Sequence, residues 1–121
     1  MTSRVLIGDD NEQMLRSLGR VMRMKGLEAD LSTTPEEVIE KAKTGDYFAV
    51  VTDLEYTEGG REGFQVLDAI KDIDSVKILY TARREFEVVA DGLVNGADYV
   101  IPGKDSSQLF EVLSKSLEKR R

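Results

Sequence analysis

Five short apolar runs alternate with five helix-period patterns, and this alternation constrains the chain more than any other feature. The runs are Arg4 to Ile7, Leu27 to Ser32, Phe48 to Thr52, Val76 to Thr81 and Tyr99 to Ile101. Between them, apolar residues recur at three- and four-residue spacing. Met14, Leu15, Leu18, Val21 and Met22 mark the first helix, Val38, Ile39 and Ala42 the second, and Phe64, Val66, Leu67 and Ile70 the third. The fourth runs from Glu85 to Val94, and Leu109, Val112, Leu113 and Leu117 mark the fifth. Strand–helix alternation builds βαβ units, whose right-handed crossovers give a parallel sheet with helices on both faces. Phe48-Ala49-Val50-Val51-Thr52 is apolar nearly throughout, as suits a central strand covered on both sides. The expected fold is therefore α/β, a doubly wound five-stranded parallel sheet with five helices. With 121 residues and no internal repeat, linker or low-complexity tract, one domain is expected over residues 1–121.

Local signals punctuate this pattern. Gly26 stands where a C-terminal cap glycine belongs. Thr33 or Thr34, followed by Pro35, opens the second helix. Ser106 or Ser107 is expected to cap the last helix, and Glu118-Lys119-Arg120-Arg121 puts positive charge at its C-terminus, where the dipole favours it. Gly92 inside the fourth helix costs about 1 kcal/mol relative to Ala, so that helix is expected to be less stable than the others.

Composition narrows the chemistry. There is no Cys, His or Trp. This excludes a disulfide scaffold, a thiol nucleophile, the usual zinc ligands and the usual general base near neutral pH. Lys and Arg total 17 against 23 Asp and Glu, a net charge of −6, which argues against direct nucleic-acid binding. Val5-Leu6-Ile7 stops at Gly8-Asp9-Asp10, too soon for a signal segment or a membrane span, so a cytoplasmic location with no membrane partner is expected.

In open parallel sheets, ligands bind beyond the C-terminal ends of the strands. Asp9 and Asp10 follow strand one, Asp53 follows strand three, Thr81 ends strand four and Lys104 follows strand five. Three carboxylates on one rim repel each other, so either a cation sits between them or at least one pKa rises. Oxygen ligands alone suit Mg²⁺ before Zn²⁺. A carboxylate beside such an ion can attack a phosphoryl group, with an ammonium and a hydroxyl taking up charge on the phosphoryl oxygens.

This arrangement resembles the receiver domain of two-component response regulators. The carriers are Leu6-Ile7-Gly8-Asp9-Asp10, Val50-Val51-Thr52-Asp53-Leu54, Tyr80-Thr81-Ala82, Asn95-Gly96-Ala97-Asp98-Tyr99 and Lys104, in order along the whole chain. The resemblance implies a flavodoxin-like fold with strand order 2-1-3-4-5. It implies Asp53 as phosphoacceptor, Asp10 as direct metal ligand, Asp9 as its water-mediated partner and the Glu55 carbonyl as a further Mg²⁺ ligand. Thr81 becomes the switch hydroxyl and Lys104 the phosphate-binding lysine. The implied partners are a histidine kinase or histidine phosphotransfer protein and a downstream effector, reached through the face of helix four, strand five and helix five. The implied role is a phosphoacceptor switch, not a turnover enzyme, with only slow self-catalysed phosphorylation and dephosphorylation. The alternative is a docking module that keeps the fold without regulated phosphorylation.

Three features depart from the family pattern. Thr57 stands where family members usually have Pro, in the glycine-rich stretch from Glu55 to Gly63, which is expected to be a mobile loop over the acidic site. Ungapped counting from Ala97 puts Val100 and Gly103, not Tyr99 and Lys104, at the aromatic-switch and lysine positions. An altered turn is needed to return Lys104 to the site. Finally, Glu55 and Arg83, each two residues beyond a site residue, are expected to pair across the site mouth.

Overall fold

The computed structural model describes residues 2–120. Five parallel strands form one sheet in the order β2-β1-β3-β4-β5. The strands are β1 (Arg4–Gly8), β2 (Glu28–Ser32), β3 (Ala49–Thr52), β4 (Val76–Tyr80) and β5 (Tyr99–Ile101). They alternate with α1 (Glu12–Met24), α2 (Pro35–Thr44), α3 (Glu62–Ala69), α4 (Phe86–Val94) and α5 (Ser106–Lys119). Among the described residues, no helix is long and apolar enough to cross a membrane.

The sheet is covered on both faces, which is why its central strands are continuously apolar. On one face, Ile7, Val51, Ile78 and Ile101 pack with Leu15, Met22, Leu109 and Leu113 of α1 and α5. On the other face, Leu6 and Val50 meet Val38, Val66 and Ile70 from α2 and α3. Leu79 meets Leu67 and Val88 near α4. Alternate residues of β1 and β3 thus serve opposite layers.

The helix ends obey capping chemistry. Asn11 accepts the Met14 N–H and opens α1, and Thr34 accepts the Glu37 N–H and opens α2. Gly26 takes φ +84°, the left-handed conformation that its C-cap position favours. The last helix corrects the expectation of a serine cap. Asp105 is the cap, its side chain accepting the Gln108 N–H at 3.1 Å, and Ser106 is already helical. The carboxylate wins because its charge also meets the positive end of the helix. At the other end of α5, Arg120 donates to the Asp74 carbonyl, and Arg121 lies outside the described residues.

Gly92 has a packing role that its helix propensity conceals. A Cβ there would stand 2.8 Å from Val100 Cγ2 and 2.9 Å from Leu79 Cδ2. The glycine lets α4 lie close on β4 and β5. Gly92→Ala is therefore expected to lower stability by about 1 kcal/mol, because overpacking outweighs the gain in propensity. A higher urea midpoint for the variant would contradict this.

Candidate phosphoacceptor site

The C-terminal ends of β1, β3 and β4, with the turn after β5, surround one open cavity. Asp9, Asp10, Asn11, Asp53, Glu55, Thr57, Glu58, Ala82 and Lys104 line it. Each of Asp9, Asp10 and Asp53 offers a carboxylate oxygen, and these oxygens lie within 4.8 Å of one another. Asp9 and Asp53 are buried, whereas Asp10 is exposed at the opening. The parallel register places them together, since Gly8 of β1 pairs with Thr52 of β3 and both chains then leave the sheet.

Each carboxylate has a distinct setting. Asp9 accepts from the Asn11 N–H at 2.9 Å and from Lys104 Nζ at 2.6 Å. Asp53 Oδ1 accepts the Leu54 N–H at 2.8 Å, and its Oδ2 lies 3.6 Å from Lys104 Nζ. Burial, reinforced by the Asp9 charge, pushes the Asp53 carboxyl up to about 7. Asp10 is also raised, by burial first and by Asp9 next. Burial first, and the neighbouring acid second, thus raise two of the three carboxyls. An oxygen-only donor set of this span fits a hard divalent cation, whose oxygen ligands sit about 2.0–2.6 Å from the ion.

Lys104 reaches the site through an altered turn. Pro102–Lys104 forms a short 3₁₀ segment in which Gly103 and Lys104 take φ +68° and +47°. The left-handed pair absorbs the extra residue that the ungapped count could not place. The Lys104 N–H donates to the Thr81 carbonyl, and Tyr80 OH donates to the Lys104 carbonyl, which fixes the turn. Thr81 is buried, and its Oγ1 accepts the Arg83 N–H at 3.1 Å. Its neighbour Ala82, rather than Thr81 itself, lines the cavity. On β5, Val100 packs against Gly92 of α4, whereas Tyr99 is partly exposed beside Ser116 and Lys119 of α5. Val100, not Tyr99, therefore faces the α4 layer.

Glu55 and Arg83 meet as expected. Arg83 Nη2 and Nε lie 2.8 and 3.2 Å from Glu55 Oε1, and Nη1 lies 3.3 Å from Glu85 Oε1.

The glycine-rich stretch over the acidic site is tied down at its two ends. Glu62 reaches back from the start of α3 to accept the Tyr56 N–H and the Thr57 hydroxyl. Tyr56 is buried, with its hydroxyl 2.8 Å from Thr52 Oγ1. The loop is anchored by one carboxylate and one aromatic ring, whatever freedom its glycines would otherwise have. Neither anchor was found from the sequence. A tyrosine in a glycine-rich stretch carries no periodic signal, and Glu62 reads as an ordinary first-turn acid.

The model of the response regulator receiver domain matches residues 5–114. The chain belongs to this family. The receiver domain is 30% identical over 112 residues to the acid tolerance regulatory protein ActR of Rhizobium meliloti. That match takes in 90% of this chain and 57% of the relative, so the chain spans little more than half the length of that protein. Its fold is similar to a two-component response regulator from Clostridium difficile, with TM-score 0.87, 20% identity and coverage of 100% and 99% of the two chains. It is also similar to the Francisella response regulator 1452 receiver domain, with TM-score 0.86, 18% identity and 98% of both chains covered. A third likeness is to a Burkholderia pseudomallei response regulator determined with a phosphorylated aspartic acid, calcium ion and citrate. There the TM-score is 0.82 at 17% identity, over 97% of this chain and 70% of the other. At these identities the structural likenesses are likenesses of fold.

Proposed function

We propose that the receiver domain is a phosphoacceptor switch in a cytoplasmic two-component phosphorelay, with Asp53 as the acceptor. The observation that carries this reading is the buried Asp53 carboxyl, set within reach of two further carboxylates and the Lys104 ammonium. A partner histidine kinase or histidine phosphotransfer protein supplies a phosphohistidine. The chain has no His of its own, so it can accept but not present that group. Asp53 forms an O–P bond as the donor's P–N bond breaks, and the bonding pair returns to the donor imidazole.

Asp9, Asp10, Asp53 and the Glu55 carbonyl would hold Mg²⁺. When bound, the ion supplies charge neutralisation and keeps Asp53 ionised. Lys104 takes up charge on a phosphoryl oxygen, and Thr81 turns from Arg83 to donate to another. Movement of Thr81 shifts a pre-existing equilibrium at α4, β5 and α5. Exposed Phe86 and Val94, both more than four-fifths accessible, support an effector contact on α4. The Burkholderia likeness, with its phosphorylated aspartate and divalent ion, is consistent with this chemistry. The docking-module alternative drew its support from the irregular segment before Lys104, and the Gly103 turn returns that lysine to the carboxylates.

The test is intact mass after incubation with acetyl phosphate. A single phosphoryl adduct is expected with Mg²⁺, and none with a chelator. An unmodified protein under both conditions would favour the docking module.

The Arg83–Glu55–Glu85 cluster gives a second prediction. It stands at the mouth of the site, where a water must approach the acyl phosphate. Arg83→Ala is expected to shorten the phosphoaspartate lifetime several-fold, read as loss of adduct after the donor is removed. An unchanged lifetime sinks the role of this cluster.

A further inference from the structure

We propose that Tyr56 is a positioning residue for the acceptor, acting through Thr52 on the peptide group that holds the Asp53 carboxylate. The proposal rests on the phosphoacceptor reading and names what aims the attacking oxygen. The Tyr56 hydroxyl lies 2.8 Å from Thr52 Oγ1, and Thr52 Oγ1 donates to the Asp53 carbonyl at 2.9 Å. A threonine has one hydroxyl proton, and here it goes to that carbonyl, so the phenol is the donor to Thr52. The Asp53 carbonyl and the Leu54 N–H are the two ends of one planar peptide group. That N–H donates to Asp53 Oδ1 at 2.8 Å. A single line of donors therefore runs from Tyr56, through Thr52 and the peptide, to one carboxylate oxygen.

This line decides which oxygen attacks. The last torsion of an aspartate side chain is broad and roughly two-fold, so an unheld carboxylate exchanges its oxygens. Holding Oδ1 leaves Oδ2, 3.6 Å from Lys104 Nζ, as the nucleophile. Hydrogen bonds in series polarise one another, so donation to the Asp53 carbonyl strengthens the grip of the Leu54 N–H on Oδ1.

The surroundings fix the phenol in place. Thr52 is fully buried and Tyr56 is 7% exposed. The Tyr56 ring packs in the layer of Leu6, Val38 and Val50, and its N–H is held by Glu62 Oε1 at 3.1 Å. A Cβ at position 8 would overlap both the Tyr56 hydroxyl oxygen and Val38 Cγ2. Glycine at the end of β1 is what admits the hydroxyl beneath the acidic rim. The carbonyl of the same Gly8 accepts the Asp53 N–H at 2.9 Å. Packing alone would be served by phenylalanine, which fills this layer without bringing a polar atom into it.

The test is the initial rate of acetyl-phosphate labelling at saturating Mg²⁺, read by intact mass over a range of donor concentrations. Tyr56→Phe keeps the ring, and Thr52→Val keeps the volume. Each is expected to lower the maximal rate about five- to tenfold with the half-saturating donor concentration unchanged, because positioning acts on the transition state. The double variant is expected to be no slower than the slower single variant, since one line is broken once. Thr52→Ser keeps the hydroxyl and is expected to restore the rate that Thr52→Val loses. In ¹⁵N-labelled Tyr56→Phe, the Leu54 amide proton is expected to move upfield as its bond weakens. Thermal melts confirm that each variant is folded at the temperature of the assay. A wild-type maximal rate in Tyr56→Phe, a change confined to the half-saturating concentration, additive losses in the double variant or an unmoved Leu54 amide would each overturn the proposal while leaving the phosphoacceptor reading intact. A wild type that takes up no phosphoryl group overturns that reading, and the proposal with it.

Discussion

Asp53→Asn is expected to melt higher than wild type near neutral pH in metal-free buffer, by about 8 °C, while losing the phosphoryl adduct completely. The physical cause is the proton on Asp53. Burial and the neighbouring Asp9 charge push its carboxyl from the ordinary 3.8 up to about 7 in the folded state. Between these values the unfolded chain has released the proton and the folded chain still holds it. The folded state therefore binds more protons, and stability falls as pH rises from about 4 to about 7. A shift of three units corresponds to about 4 kcal/mol, and solvent entering the open side of the site reduces this to about 2 kcal/mol. For a domain of this size, 1 kcal/mol moves the midpoint by roughly 4 °C. Asn is neutral and nearly isosteric, so it removes the repulsion while its side-chain oxygen can still accept the Leu54 N–H. Urea unfolding at about pH 5 and about pH 8 with a chelator present checks the account. Wild type should lose stability across this range and Asp53→Asn should lose much less. Parallel profiles would contradict it.

Gly63→Ala is the second large effect, and it acts on the backbone that carries the acceptor. The Gly63 N–H donates to the Leu54 carbonyl at 2.8 Å, joining the start of α3 to the chain just beyond Asp53. A Cβ at position 63 would overlap the Asp53 carbonyl oxygen and stand 2.7 Å from Leu54 Cα. These are backbone atoms, which cannot swing aside as a side chain would. The variant is expected to lose about 2–3 kcal/mol, a fall in midpoint of about 10 °C. Its labelling by acetyl phosphate should slow as well, because Asp53 must move with its own carbonyl. Differential scanning calorimetry and a labelling time course measure the two effects. A midpoint within about 4 °C of wild type would show that α3 can retreat at little cost.

Much of the fold was legible because periodicity reports burial. Val50 and Val51 serve opposite faces of one covered strand, and the apolar run from Phe48 showed this directly. The acidic positions were legible because a strand end in a parallel sheet has only one place to go. The features that escaped depend on which side chain makes a given contact. Asp105 took the cap from Ser106 because a residue in the preceding turn could bend back to Gln108. Glu62 pinned a loop that glycine content alone marked as free. Gly92 and Gly63 are sites of close approach, and sequence records a glycine without recording what stands opposite it. Lys104 was the intermediate case. Its charge suggested the site, and only the left-handed pair at Gly103 and Lys104 explains how an extra residue is absorbed.

The central claim is that Asp53 receives the phosphoryl group. Borohydride reduces an acyl phosphate to the alcohol, so a phosphorylated aspartate is read as homoserine in peptide sequencing. After treatment with acetyl phosphate and Mg²⁺, homoserine is predicted at position 53, with Asp9 and Asp10 unchanged. Homoserine at position 9 or 10, or none at position 53, would contradict the account.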